Sequence, residues 1–97
     1  MSVFISENNS RKEDGLNIQD DGTRKHYKNG KLHREDGPAI EWRWGDKDWY
    51  MNGKLHREDG PAVNYIDGTK LYFINGEHIK CSSNEEFIRI VKLKLFL

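Results

Sequence analysis

A tandem repeat with a period of 23 residues governs what this chain can fold into. The block Asn29-Gly30-Lys31-Leu32-His33-Arg34-Glu35-Asp36-Gly37-Pro38-Ala39 returns letter for letter at 52–62. Aligned on that period, 27–49 and 50–72 agree at 14 of 23 positions, and a third copy opens as Phe73-Ile74-Asn75-Gly76 before it decays. The spacer recurs as well: Asp21-Gly22-Thr23 and Asp67-Gly68-Thr69 lie two periods apart, with Trp44-Gly45-Asp46 between them. Asp14-Gly15 sits 22 residues before Asp36-Gly37, which marks 1–20 as a degenerate N-terminal copy. A catalytic site is built once, from different residues; a segment copied in tandem is a building part. Each unit of such an array buries its apolar face only against its neighbours.

Each unit reads as a β-hairpin. Asn29-Gly30 and Asn52-Gly53 are strong hairpin signals, because a two-residue type I′ turn needs a positive φ at both positions. Asp36-Gly37-Pro38 and Asp59-Gly60-Pro61 form a second punctuation. There glycine is expected to supply a left-handed φ, and aspartate to bond nearby amides. Between these marks the pattern alternates. Ile40, Trp42 and Trp44 fall on one face with Glu41 and Arg43 on the other, and Val63 and Tyr65 repeat the apolar side. The period predicts a mainly β fold, an antiparallel meander of hairpin repeats over 21–79.

Residues 82–97 break the pattern. Ser82 and Ser83 each precede a glutamate by three residues, the spacing of a capping box. Phe87, Ile90, Val91 and Leu95 then share a helical face, with Arg89 and Lys92 off it. The expectation is a C-terminal helical cap over the last hairpin and the open apolar face. Ile88, Ile90, Lys92 and Lys94 would fit a strand instead.

Composition bounds the function classes. The 97 residues suffice for one domain, and with 35% hydrophobic and 33% charged residues its core must be thin. Sixteen basic residues balance sixteen acidic ones, so the chain lacks the basic excess that a general nucleic-acid binder uses to release counterions. Cys81 is the only cysteine, which excludes an intrachain disulfide and a cysteine-based zinc site. No signal-peptide pattern or bilayer-length apolar run is present, and a soluble cytoplasmic protein is expected.

The unit Trp49-Tyr50-Met51-Asn52-Gly53-Lys54-Leu55-His56, with Tyr65-Ile66-Asp67-Gly68 after it, resembles the MORN repeat. The resemblance covers 21–79 and departs from the family where Arg-Glu-Asp-Gly-Pro-Ala replaces glycines. This variant is similar to repeats in proteins of bacteriophages and large DNA viruses. The resemblance implies an interaction scaffold, in some cases dimeric. A viral relationship further implies an accessory factor in the host cytoplasm that binds and inhibits a host protein of antiviral defence. A phosphoinositide-binding role proposed for some MORN arrays makes a membrane- or lipid-associated scaffold the alternative. A third class is an enzyme or ligand-sequestering protein using the His-Arg-Glu-Asp clusters.

Those clusters, His33, Arg34 and Asp36 with His56, Arg57 and Asp59, are read as structural. Equivalent residues in successive hairpins stand about 10 Å apart, so the copies would not share one metal ion. No cofactor is implied, and catalysis has no foothold. Trp42, Arg43, Trp44, Trp49 and Tyr65 are the candidate binding residues, since Trp, Tyr and Arg dominate protein interfaces. Trp44 stands where the next copy has Asp67, a position the scaffold does not require to be aromatic. The aromatic stripe through Tyr27, Trp42, Trp49, Tyr50 and Tyr65 also predicts self-association as a two-fold homodimer, through this face or the terminal element. The interleaved acids argue against binding to a membrane.

Overall fold

The computed structural model describes residues 14–95. Their strands are β1 (Gly15–Ile18), β2 (Arg24–Lys28), β3 (Lys31–Leu32), β4 (Ile40–Glu41), β5 (Lys47–Asp48), β6 (Tyr50–Met51), β7 (Lys54–Leu55), β8 (Val63–Asn64), β9 (Lys70–Ile74) and β10 (Glu77–Ile79). The helix α1 (Asn84–Leu95) follows. Neighbours pair antiparallel in the order β1-β2-β4-β5-β8-β9-β10, with β3 on β2 and β6 on β7. The meander of hairpins is therefore present, and its extents of 54 × 32 × 18 Å are those of a slab about one sheet and its side chains thick. Of the degenerate copy expected at 1–20, the part before Asp14 lies outside the described residues.

The Asn-Gly turns carry the left-handed backbone that their sequence demands. Asn29, Asn52 and Asn75 have φ of 54°, 53° and 50°, and the glycine after each is also positive. The repeated block has a shape that the sequence does not announce. The amide of His26 donates to Ala39 O, while the carbonyl of His26 accepts from His33 N. In an extended strand these two groups of one residue point the same way, so β3 and β4 are two halves of one interrupted strand. The chain leaves it at His33, loops out through 34–38 and rejoins at Ala39. Trp49 repeats both bonds, with Ala62 and His56. Ala39 and Ala62 are fully buried where the strand resumes.

Two expectations require correction. Residues 40–44 do not form one alternating strand: Trp42 N bonds Asp46 O and Gly45 N bonds Trp42 O, which closes a turn. The same pair of bonds closes the turns at 19–23 and 65–69, so backbone pairing of the spacer overrides the aromatic alternation. Gly37 and Gly60 do not adopt a positive φ either. A Cβ on Gly37 would stand 2.9 Å from Arg34 Cζ, and one on Gly60 3.0 Å from Arg57 Cζ. Glycine there lets a guanidinium approach the backbone closely.

The helix forms where the capping signal lies. Ser83 Oγ accepts the Glu86 amide at 3.1 Å, and Glu86 Oε1 accepts the Ser82 amide at 2.6 Å and the Ser82 hydroxyl at 2.9 Å. Glu85 and Glu86 in the first turn and Lys92 and Lys94 in the last suit the helix dipole. Phe87 and Val91 bury against Ile74 and Ile79, with Tyr72, Cys81, Ile88 and Ile90 packed around them. The cap thus sits on the last hairpin.

Candidate interaction surface

The copied blocks hold the repeats to one another. His33 Nδ1 accepts the Asn52 amide at 3.0 Å and His56 Nδ1 accepts the Asn75 amide at 2.9 Å. A backbone amide can only donate, so Nδ1 is unprotonated in both rings and Nε2 carries the hydrogen. Nε2 then donates to Glu35 Oε2 at 3.3 Å and to Glu58 Oε2 at 2.9 Å. Arg34 N and Arg57 N also cross to the next copy, bonding Tyr50 O and Phe73 O. At the first hairpin Asp14 Oδ1 takes the histidine's part and accepts the Asn29 amide at 2.8 Å.

The arginines close their own loops. Arg34 Nε donates to Asp36 Oδ1 at 3.1 Å and Arg57 Nε to Asp59 Oδ1 at 2.9 Å, while Nη1 of each reaches the carbonyl of Pro38 or Pro61. Arg34 beside Asp36 holds that carboxyl below its ordinary value, with help from the residue's own amide. Each guanidinium also contacts the side chain at the centre of the preceding strand. Arg57 Cζ lies 3.8 Å from the Trp49 ring centroid, and Arg34 Nη1 lies 3.2 Å from His26 Nε2. Burial, and then Arg34, push the His26 pKa down. In the third copy the block has decayed, and Phe87 from α1 covers Tyr72 instead, at 4.6 Å between centroids.

The opposite end of each strand carries the spacer turns. Thr23 Oγ1 accepts the Arg43 amide at 3.2 Å, and Asp46 Oδ1, one period later, accepts the Ile66 amide at 2.9 Å. Trp42 and Trp44 stack there, 4.9 Å apart and 18° from parallel. Their indole N–H groups are both satisfied nearby, Trp42 by Asp48 Oδ2 in β5 at 3.0 Å and Trp44 by Asp46 Oδ2 within the turn at 2.8 Å. Burial raises the Asp48 pKa, and the Trp42 N–H bond partly offsets that rise. Lys25 Nζ lies 5.5 Å from the Trp42 ring centroid. Trp44 is 49% exposed, Tyr65 42% and Ile66 68%. Ile66 Cγ2 would lie 2.6 Å from a Cβ on Gly45, so the two turns touch.

Trp42, Arg43, Trp44 and Tyr65 therefore gather on two adjacent turns. Trp49 does not join them, because it lies at mid-strand beneath Arg57. Ile66 was not among the sequence candidates. Its signal is an apolar residue in a turn where the preceding copy has Arg43. Among the described residues no group of three or more His, Cys, Asp or Glu is arranged to hold a metal ion, and no helix is long and apolar enough to cross a membrane. Cys81 is half-buried, and burial raises its thiol pKa. No protein-family model, curated protein or solved structure matches this chain.

Proposed function

We propose that the chain is a non-catalytic protein-binding module whose partner docks on the aromatic end formed by Trp42, Trp44, Tyr65 and Ile66. The observation that carries this reading is the state of Trp44. Its indole N–H is already bonded to Asp46, yet about half of the residue remains exposed. What it offers outward is apolar ring surface, the kind of rigid anchor that forms the centre of protein interfaces. The histidines and arginines of the repeated blocks are engaged between and within copies, which supports a scaffold rather than a reaction centre. The resemblance to viral MORN-like repeats makes the partner a host protein, inhibited by occupation of its own interface. Affinity capture from host lysate with the wild-type chain and with Trp44→Ala tests this. A partner retained by the wild type and lost by the folded variant is expected; equal capture by both rejects the surface.

A further inference from the structure

A second surface lies away from the aromatic end. Trp49, Met51, His56, Arg57, Glu58 and Asp59, with Glu35 from the preceding block, line an open cleft of about 270 Å³. Its position in the repeat shows what such a cleft can hold. One period later Trp49, Met51, His56 and Glu58 become Tyr72, Ile74, Ile79 and Cys81. Those four residues are the ones against which Phe87 and Val91 of α1 pack. The chain thus fills the third groove with Phe87 and Val91, whereas in the second Arg57 takes the place of Phe87 over the aromatic ring and the cleft beside it stays open.

The two grooves differ in chemistry. In the third, Ile79 and Cys81 present apolar groups. In the second, His56 and Glu58 replace them, Asp59 stands where the third has Ser82, and Glu35, whose counterpart one period on is Glu58, completes three carboxylates. Glu35 and Glu58 are well exposed, and each commits Oε2 to its histidine. The single guanidinium, Arg57, is held by Asp59 and Pro61 and lies over Trp49. The balance at the mouth is three carboxylates against one cation, above a floor of indole and thioether. The preceding copy cannot offer the same site, because Lys28 stands in place of Met51 and His26 in place of Trp49.

We propose that this cleft binds a basic side chain, an arginine or lysine presented by a segment of a partner protein. The aliphatic stem rests on Met51 and the edge of Trp49, while the charged head meets Glu35 and Glu58. Such an amphipathic side chain satisfies both halves of the site.

N-acetyl-arginine amide, titrated into the full chain at millimolar concentrations, is the probe. The signals to follow are the Trp49 indole N–H and the Met51 methyl group by NMR. N-acetyl-citrulline amide serves as the neutral match, and free arginine as the small-molecule arm. Shifts confined to the cleft, falling with added salt and weak or absent with citrulline, are expected. The Glu35→Gln/Glu58→Gln double variant should bind roughly tenfold more weakly, the scale of one lost charge-assisted contact. Met51→Lys installs what the preceding copy already carries, so it should fold and lose binding. No shift, equal shifts with citrulline, or shifts centred on Glu77 or Asp46 would overturn the proposal. Tighter binding of free arginine than of the capped form would also overturn it, because the site would then take a small molecule.

Discussion

His33 reaches 19 residues along the chain to accept the Asn52 amide on Nδ1, and His56 does the same for Asn75. Each bond secures the tip of one hairpin to the block of the one before it. Removing the ring leaves the Asn amide without its partner and opens a gap beside it. Leaving such a donor unsatisfied costs about 1–3 kcal/mol. His33→Ala and His56→Ala are each expected to lose that much stability in thermal melts. Hydrogen exchange should quicken first at Asn52 in one variant and at Asn75 in the other. Any binding activity should follow the folded fraction. A stable variant that has lost binding would show that the ring contacts a partner instead.

His26 makes the fold sensitive to mild acid. Its folded pKa lies below the ordinary imidazole value of 6.5, through burial and the Arg34 guanidinium. The unfolded chain therefore takes up the proton more readily. This part of the stability is complete above the unfolded value and is lost as pH falls through the folded one. Melting temperatures should drop as pH is lowered below about 6.5. His26→Trp copies the Trp49–Arg57 pair one repeat upstream, so it should remove this dependence and raise the melting temperature at neutral pH. Unchanged acid sensitivity in His26→Trp would place its origin elsewhere.

Much of this scaffold was legible because its signals are local. Asn-Gly demands a left-handed turn wherever it occurs, and Ser83 with Glu86 marks a helix start whatever lies around it. The spacer turn at 42–46 was obscured, since Trp42 and Trp44 imitate strand alternation. Yet Gly45 between Gly22 and Gly68 marks the same turn in all three copies. The bonds from His33 to Asn52 and from Thr23 to Arg43 depend on how copies stack, which no single copy encodes. The cleft was missed for a related reason. Its floor differs from the other copies at Met51 and Trp49, and identity between copies draws attention away from the positions that vary.

The helix cap is separable from the sheet. Ser83→Ala removes the oxygen that accepts the Glu86 amide, at a cost of about 0.5–2 kcal/mol to the helix. The Ser82 amide, followed by its hydroxyl, lowers the Glu86 pKa. The contribution of the ionised carboxylate is present above the unfolded pKa and fades as pH falls through the folded one. Cys81 reports on the cap, since its half-buried thiol packs among Tyr72 and Phe87. Faster thiol labelling in Ser83→Ala and in Glu86→Gln is expected. Labelling at the wild-type rate in both would mean that the cap does not depend on these bonds.

The glycines rank by what a methyl group would meet. At Gly37 it meets the far end of the Arg34 side chain, which can swing away at the cost of an exposed ion pair. At Gly45 it meets Ile66 at 2.6 Å, and φ is 109°, where an L side chain is strained. Gly45→Ala should therefore destabilise by about 1–3 kcal/mol, and Gly37→Ala by less. Denaturant unfolding orders the two, and a Gly37→Ala loss as large as that of Gly45→Ala would contradict the packing described.

Trp44 and Trp49 should separate binding from folding. Trp49 is half-buried beneath Arg57 at a position where the next copy keeps an aromatic, so truncating it removes packing within the sheet. Trp44 is half exposed, and its equivalent is Asp67. Its truncation removes one stacked pair, worth about 0.5–1.5 kcal/mol. Trp49→Ala should lower the melting temperature several times more than Trp44→Ala. The two-fold dimer expected from the aromatic residues predicts that light scattering across a wide concentration range will show mass rising with concentration for the wild type. It should rise less for Trp44→Ala. Monomeric mass throughout would reject self-association through this surface and leave Trp44, Tyr65 and Ile66 for a different protein. Identical association in Trp44→Ala would instead move the contact to β1, the outermost of the described strands, where Leu16 and Ile18 are 47% and 60% exposed.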